Sequence, residues 1–312
     1  MIQWREIIAI TELKNISQNS ATINYILLFS LVLIWGTSFL LINRSLLSFI
    51  PEQVVLIRLW IAAIVMLFVL LIKNRRLPLG IVSWFHFSLL SVIGNILPFW
   101  LIAVGQTTIS SGLAGLLMAV MPLFTIVLAH LFLKDDKINR YKMAGFVIGF
   151  SGVGFILAPT IASFPESTLS VLLVLIASLC YAVNTVITKI IRQYDPIVVS
   201  SGVLISSSVI ASLIWPQSLI SIEISSASTV SLISVLLLGV LPTGLAALIY
   251  FNIINRTGPT FLSNINYLIP VVAYFLGALV LNEVVLWHDL LALLLIIFGI
   301  FISRKKVPSI KV

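Results

Sequence analysis

Tyr181, Asn184, Thr185 and Thr188 recur at i, i+3, i+4 and i+7 inside an otherwise apolar run. That spacing puts a phenol, an amide and two hydroxyls on one face of a helix. Asn264, Tyr267, Val271 and Tyr274 repeat the spacing further along the chain. These groups give and take hydrogen bonds, and none forms a nucleophile–base pair. An amide or phenol facing lipid is costly, so both faces are expected to point inward. The chemistry they suit is reversible recognition of a small amphipathic molecule. Their competing use is hydrogen bonding between helices, at roughly 0.6 kcal/mol on average. Trp35, Ser38, Asn95, Trp100, Tyr250 and Asn252 are further candidates of the same kind.

The elements that must position these residues are membrane helices. The 312-residue chain is 60% hydrophobic and 9% charged, too much apolar surface for a soluble domain to hide. Apolar runs of spanning length are expected at Ile23–Asn43, Gln53–Ile72, Trp84–Val104, Ser111–Leu133, Lys142–Ala158, Leu169–Lys189, Ile197–Trp215, Val230–Ile253, Pro259–Leu281 and Leu286–Ser303. The expected fold is an all-α integral membrane protein with ten transmembrane helices. Residues 1–22 form an N-terminal segment, 23–158 and 169–303 two five-helix halves, and 304–312 a basic tail.

The formal net charge of +8 reads as topology, not as nucleic-acid binding. Basic residues collect in alternate loops and tails: Arg5 and Lys14; Lys73, Arg75 and Arg76; Lys134, Lys137, Arg140 and Lys142; Lys189 and Arg192; Arg256; and Arg304, Lys305, Lys306 and Lys311. The intervening loops hold only Arg44. The positive-inside rule then places both termini in the cytoplasm of a multi-pass cell-membrane protein. The N-terminal segment lacks a signal-peptide core and is read as uncleaved. Asn15-Ile16-Ser17 matches a glycosylation sequon, but this topology places it inside the cell. A single cysteine, Cys180, leaves no disulfide framework within the chain, and no metal-ligand cluster or cofactor fingerprint is visible.

The two halves share a module. Pro122 precedes Asp135 by thirteen residues, and Pro270 precedes Glu283 by thirteen. In that register Leu128 matches Leu276, Ala144 matches Ala292 and Phe150 matches Phe298, all at an offset of 148. Leu97-Pro98 matches Leu241-Pro242, and Trp35 and Ser38 match Tyr181 and Asn184. Five helices lie between the copies, so the second copy is expected to cross the bilayer in the opposite sense, as a 5+5 inverted repeat.

With these motifs the chain resembles the drug/metabolite transporter superfamily, in its EamA-type branch. The resemblance rests on Trp35-Gly36-Thr37-Ser38-Phe39, on Arg58-Leu59, on Met121-Pro122-Leu123-Phe124, on Tyr267-Leu268-Ile269-Pro270-Val271 and on Leu281-Asn282-Glu283. It covers the chain from about Tyr25 onward. It implies ten helices around a central cavity and the movement of small metabolites, often outward, across the plasma membrane.

The residues can be read further on their own. Pro98, Pro122, Pro242 and Pro270 fall inside spans. Each lacks an amide hydrogen and clashes with the carbonyl four residues back, freeing the carbonyls of Gly94, Met118, Leu238 and Asn266. They are candidate hinges, or else static kinks satisfied by neighbouring helices. Every acid lies in or beside a loop, which argues against proton-for-cation exchange. One arginine, Arg58, lies well inside, about two turns below the outer surface. It either meets a substrate carboxylate or pairs with a nearby acid or carbonyls and snorkels outward. His86 and His130 read as packing near the inner membrane surface, and Asp135 and Glu283 as helix caps. Gly145, Gly149 and Gly152 form a smooth face that suits packing within the monomer and a homodimer equally.

The expected function is alternating-access carriage of a small neutral or zwitterionic metabolite, such as an amino acid or aromatic compound. Proton-coupled multidrug efflux is the alternative, with a polytopic membrane enzyme or a channel as rivals of a different class.

Overall fold

The computed structural model describes residues 2–133, 138–163, 165–191, 194–262 and 264–304. Among these, every regular element is helical. The main helices are α1 (Ile2–Ser45), α2 (Pro51–Ile72), α3 (Ile81–Gly105), α4 (Ser111–Phe132), α5 (Arg140–Ser163), α6 (Pro165–Ile190), α7 (Pro196–Ile214), α8 (Thr229–Thr257), α9 (Ile265–Leu281) and α10 (Trp287–Ser303). Eight of them, α1 from Ala21 onward through α8, contain stretches long and apolar enough to cross a membrane. The helices α9 and α10 are shorter but equally apolar. Residues 2–20, read from sequence as a polar segment, continue into the first apolar run as one helix. No glycine or proline interrupts the chain before Gly36.

Local chemistry sets most helix ends. Pro51 and Pro196 occupy the first turns of α2 and α7, where a missing amide hydrogen costs nothing. Asp195 caps α7 by accepting from the amides of Ile197 and Val198 at 3.0 and 3.4 Å, and it pairs with Arg75 at 3.5 Å. Asn282 closes α9 in the left-handed conformation, at φ 55°, which asparagine tolerates well. Arg44, alone among the bases in its set of loops, donates to the carbonyl of Val280 at 3.3 Å in the last turn of α9.

The prolines act in two ways. Before Pro98 and around Pro242, α3 and α8 widen into π-helical turns, Val92–Ile96 and Gly239–Leu245. The amides of Leu97 and Ala246 bond five residues back, to Val92 and Leu241. Such turns absorb the proline clash without ending the helix, and they occur frequently at functional sites. At Pro122, by contrast, α4 breaks into Ser111–Met118 and Met121–Phe132. Pro270, its counterpart, sits inside α9 without interrupting it.

Packing runs across the two halves: α1 lies on α9, α2 on α7 and α5 on α10. Gly145, Gly149 and Gly152 are spent in the last of these contacts and in packing on α4. A Cβ at Gly152 would lie 2.8 Å from the carbonyl oxygen of Ala292, and one at Gly299 would lie 2.6 Å from the amide of Gly149. The glycine face is therefore filled within the chain and is not free for a partner copy.

Candidate functional site

Arg58 is the centre of the site. Its side chain enters from α2 and is 4% exposed. Nε and Nη2 donate to Oγ1 of Thr243 on α8 at 3.2 and 3.0 Å. The guanidinium carbon lies 3.6 Å from the ring centroid of Phe99 on α3, a cation–π contact. Tyr181 on α6 packs against the apolar cluster of Leu59 and Phe99 that surrounds it. Four helices, two from each half, thus converge on one charge.

The π-helical turns make this convergence possible. In the widened turn of α8, the hydroxyl of Thr243 donates to the carbonyl of Leu238 at 2.8 Å. That is the carbonyl Pro242 deprives of its usual partner. Thr243 then offers its lone pairs to Arg58. Under the repeat register at 144, Thr243 corresponds to Phe99, so matched positions after matched prolines hold the guanidinium by a hydroxyl and by a ring. Gly239, in the same turn, lets α2 approach: a Cβ there would come within 2.6 Å of Ile61 and 3.1 Å of the Arg58 carbonyl oxygen. Trp35 on α1 ties in from a third side, its Nε1 donating to the Pro242 carbonyl at 3.0 Å, with its ring beside Tyr250.

Arg58 has no acidic partner among the described residues. The acids whose side chains are described are engaged elsewhere. Glu52 accepts from Nε1 of Trp100 at 2.7 Å. Glu283 accepts from the amides of Ser111 and Gly112 at 2.7 and 2.9 Å. Asp289 takes Tyr274 at 3.1 Å and lies 3.6 Å from His288. Asp195 caps α7, and Glu223 lies in an exposed loop with Ser226. A buried, unpaired guanidinium costs several kcal/mol, so its retention calls for a use.

The remaining sequence-predicted residues divide by location. Asn184 stands one turn from Tyr181; its amide presses on α3 at Gly94, and its Oδ1 is buried without a hydrogen bond. Asn95 donates to Ser207 at 3.1 Å and ties α3 to α7. Ser38 and Thr188 turn back onto their own helices, donating to the carbonyls of Trp35 and Asn184. Asn264 precedes α9 and accepts from Arg304 at 3.2 Å. The Arg304 guanidinium lies 4.5 Å from the ring centroid of Tyr267, whose hydroxyl is buried without a partner. Tyr274 is 4% exposed; it bonds to Asp289 and accepts from the amide of Leu286 at 3.1 Å, holding the α9–α10 connection. The Tyr181 stripe therefore reaches the Arg58 centre, whereas the polar groups of the α9 stripe make their contacts with α10, at Arg304 and Asp289. Of the two histidines placed near the inner surface from sequence, His86 lies 3.0 Å from the hydroxyl of Tyr194, and His130 accepts from the amide of Ile138 at 3.2 Å.

Thr243, Phe99 and Glu52 are absent from the sequence-based candidates, which did include the Glu52 partner Trp100. The available signal was positional, since Phe99 and Thr243 each directly follow a repeat-matched proline. A phenylalanine does not register as polar, and a threonine after proline reads as a helix filler.

Fold and site together define a polytopic all-helical membrane protein with a polar centre buried between two related halves. The EamA-like transporter family matches twice, over residues 22–158 and 168–304, and the chain belongs to that family. It is 27% identical to the uncharacterized transporter YoaV of Bacillus subtilis, over 89% of this chain and 97% of that one. It is 25% identical to the uncharacterized inner membrane transporter YedA of Escherichia coli, over 88% of each. A solved crystal structure shares the fold at a TM-score of 0.65 and 18% identity, covering 90% of this chain and 97% of the other.

Proposed function

We propose that this transporter is a carrier for small neutral or zwitterionic metabolites, working outward by alternating access. Its helices form a ten-membered, 5+5 inverted repeat, with both termini cytoplasmic. The observation that carries the reading is the convergence of α2, α3, α6 and α8 on Arg58, because each half contributes a polar or aromatic group to one buried centre. A site at the interface of two inverted halves can be exposed to either side by rocking one half against the other. The described acids are all engaged away from this centre, which favours transport driven by the substrate gradient over proton exchange.

The test is counterflow in proteoliposomes holding the full-length protein. Vesicles loaded with an unlabelled amino acid should transiently accumulate the labelled one, and initial rates should saturate. Linear, unsaturable flux would indicate a channel. A pH step that by itself drives uphill accumulation would return proton coupling to first place.

A further inference from the structure

We infer that Arg58 is the receptor for a carboxylate carried by the transported molecule, and that the site selects compounds with a single carboxylate and an apolar or aromatic body. This deepens the carrier reading and rests on it. The sequence left Arg58 with two fates: contact with a substrate, or pairing with protein groups and snorkelling. In the structure it does not snorkel, since it is 4% exposed. Nor, among the described residues, does it pair with an acid or a backbone carbonyl. Its partners are one hydroxyl and one ring.

The guanidinium presents five donors in a planar fork. Thr243 takes the N–H of Nε and one of the two on Nη2, leaving the other Nη2 hydrogen and both on Nη1 without an acceptor among the described residues. A hydroxyl brings no negative charge, so the positive charge stays uncompensated. An incoming carboxylate supplies both the missing acceptor and the missing charge, in a geometry that matches the fork. One charge on the protein fits one charge on the ligand. Phosphate dianions and dicarboxylates would bring an excess, because the other basic side chains described on these helices, Lys189 and Arg256 among them, lie at helix ends. The body of the ligand meets Phe99 and Tyr181, and the bare Oδ1 of Asn184 offers an acceptor for a ligand amine without requiring one.

The experiment compares matched ligands on the purified full-length protein, by thermal unfolding in detergent and by counterflow in proteoliposomes. The probes are the standard amino acids, their deaminated acids, their amides and their decarboxylated amines, with chloride and inorganic phosphate as separate arms. A ligand that binds the folded state raises its apparent melting temperature. We expect some amino acids and the matching deaminated acids to raise it and to be transported, and their amides and amines to do neither. Arg58→Gln should raise the half-saturation concentration about tenfold or more, as for loss of a charged hydrogen bond. Arg58→Lys should fall between the two. The wild-type comparison stands even if Arg58→Gln does not fold. Transport of amides or amines as well as acids overturns the carboxylate assignment and leaves the carrier reading intact. Stabilisation by carboxylates without saturable flux does the reverse. A response to chloride or phosphate that carboxylates do not displace, or no response to any probe, overturns the assignment.

Discussion

The proline of helices three and eight and the proline of helices four and nine are equally well matched in sequence, yet only the first pair is matched in shape. Pro98 follows a π-helical turn and Pro242 lies inside one, and the residue after each proline meets Arg58. Pro122 stands at a break, whereas Pro270 is carried within an uninterrupted helix. The ends of the second pair also differ. Glu283 folds back over Gly277, where a Cβ would clash with its carboxylate, and caps the first turn of α4. Its counterpart Asp135 lies outside the described residues. The difference teaches where symmetry is kept and where it is broken. The inequality falls on α4 and α9, which pack against each other through Gly112 and Tyr274.

The comparison presumes that the halves are inverted, and this gives the largest, all-or-none effect. With Cys180 replaced, a cysteine at Ser225 should react with impermeant maleimide from outside intact cells. A cysteine at Arg76 should react only after the membrane is opened. Labelling of both from outside would remove the inversion, and the pairing of the prolines with it.

Next in size is Thr243→Val. It strips the Leu238 carbonyl of its donor and Arg58 of its acceptor, so we expect a loss of about 1–3 kcal/mol, seen as a lower melting temperature. Thr243→Ser should restore most of it. A Val variant as stable as wild type would show that the turn does not depend on this hydroxyl.

Glu283→Gln should cost less. Two amides at the start of α4 lose a carboxylate but retain a neutral acceptor, so the loss should stay within the range of about 0.5–2 kcal/mol for a removed cap, with Glu283→Ala the more damaging. Equal stability of all three proteins would make the cap incidental to the α4–α9 contact.

The smallest effects belong to Pro122→Ala and Pro270→Ala, read in transport rate with surface expression near wild type. If α9 must take the broken shape of α4 in the opposite state, both should slow initial flux. The expected factor is roughly two to ten, or about 0.5–1.5 kcal/mol in the limiting step. Slowing at Pro122 alone would mean that the asymmetry is permanent.

The sequence by itself determined the apolar helices, the repeat and the positions where a proline removes a backbone hydrogen bond. Hydropathy is summed over neighbours, and a proline disturbs only its own turn, so both are local properties of the chain. The same logic placed Tyr181, Asn184, Thr185 and Thr188 on one face. Only the tertiary structure decided what such a face meets. Tyr181 packs on the cluster that holds Leu59 and Phe99, whereas Tyr274 reaches Asp289, although the two stripes have the same spacing. Thr243 and Phe99 became site residues because α8 and α3 arrive beside α2 from 185 and 41 positions away along the chain. Helical periodicity fixes the direction of a side chain relative to its own axis, but its partner is set by the packing of the other helices.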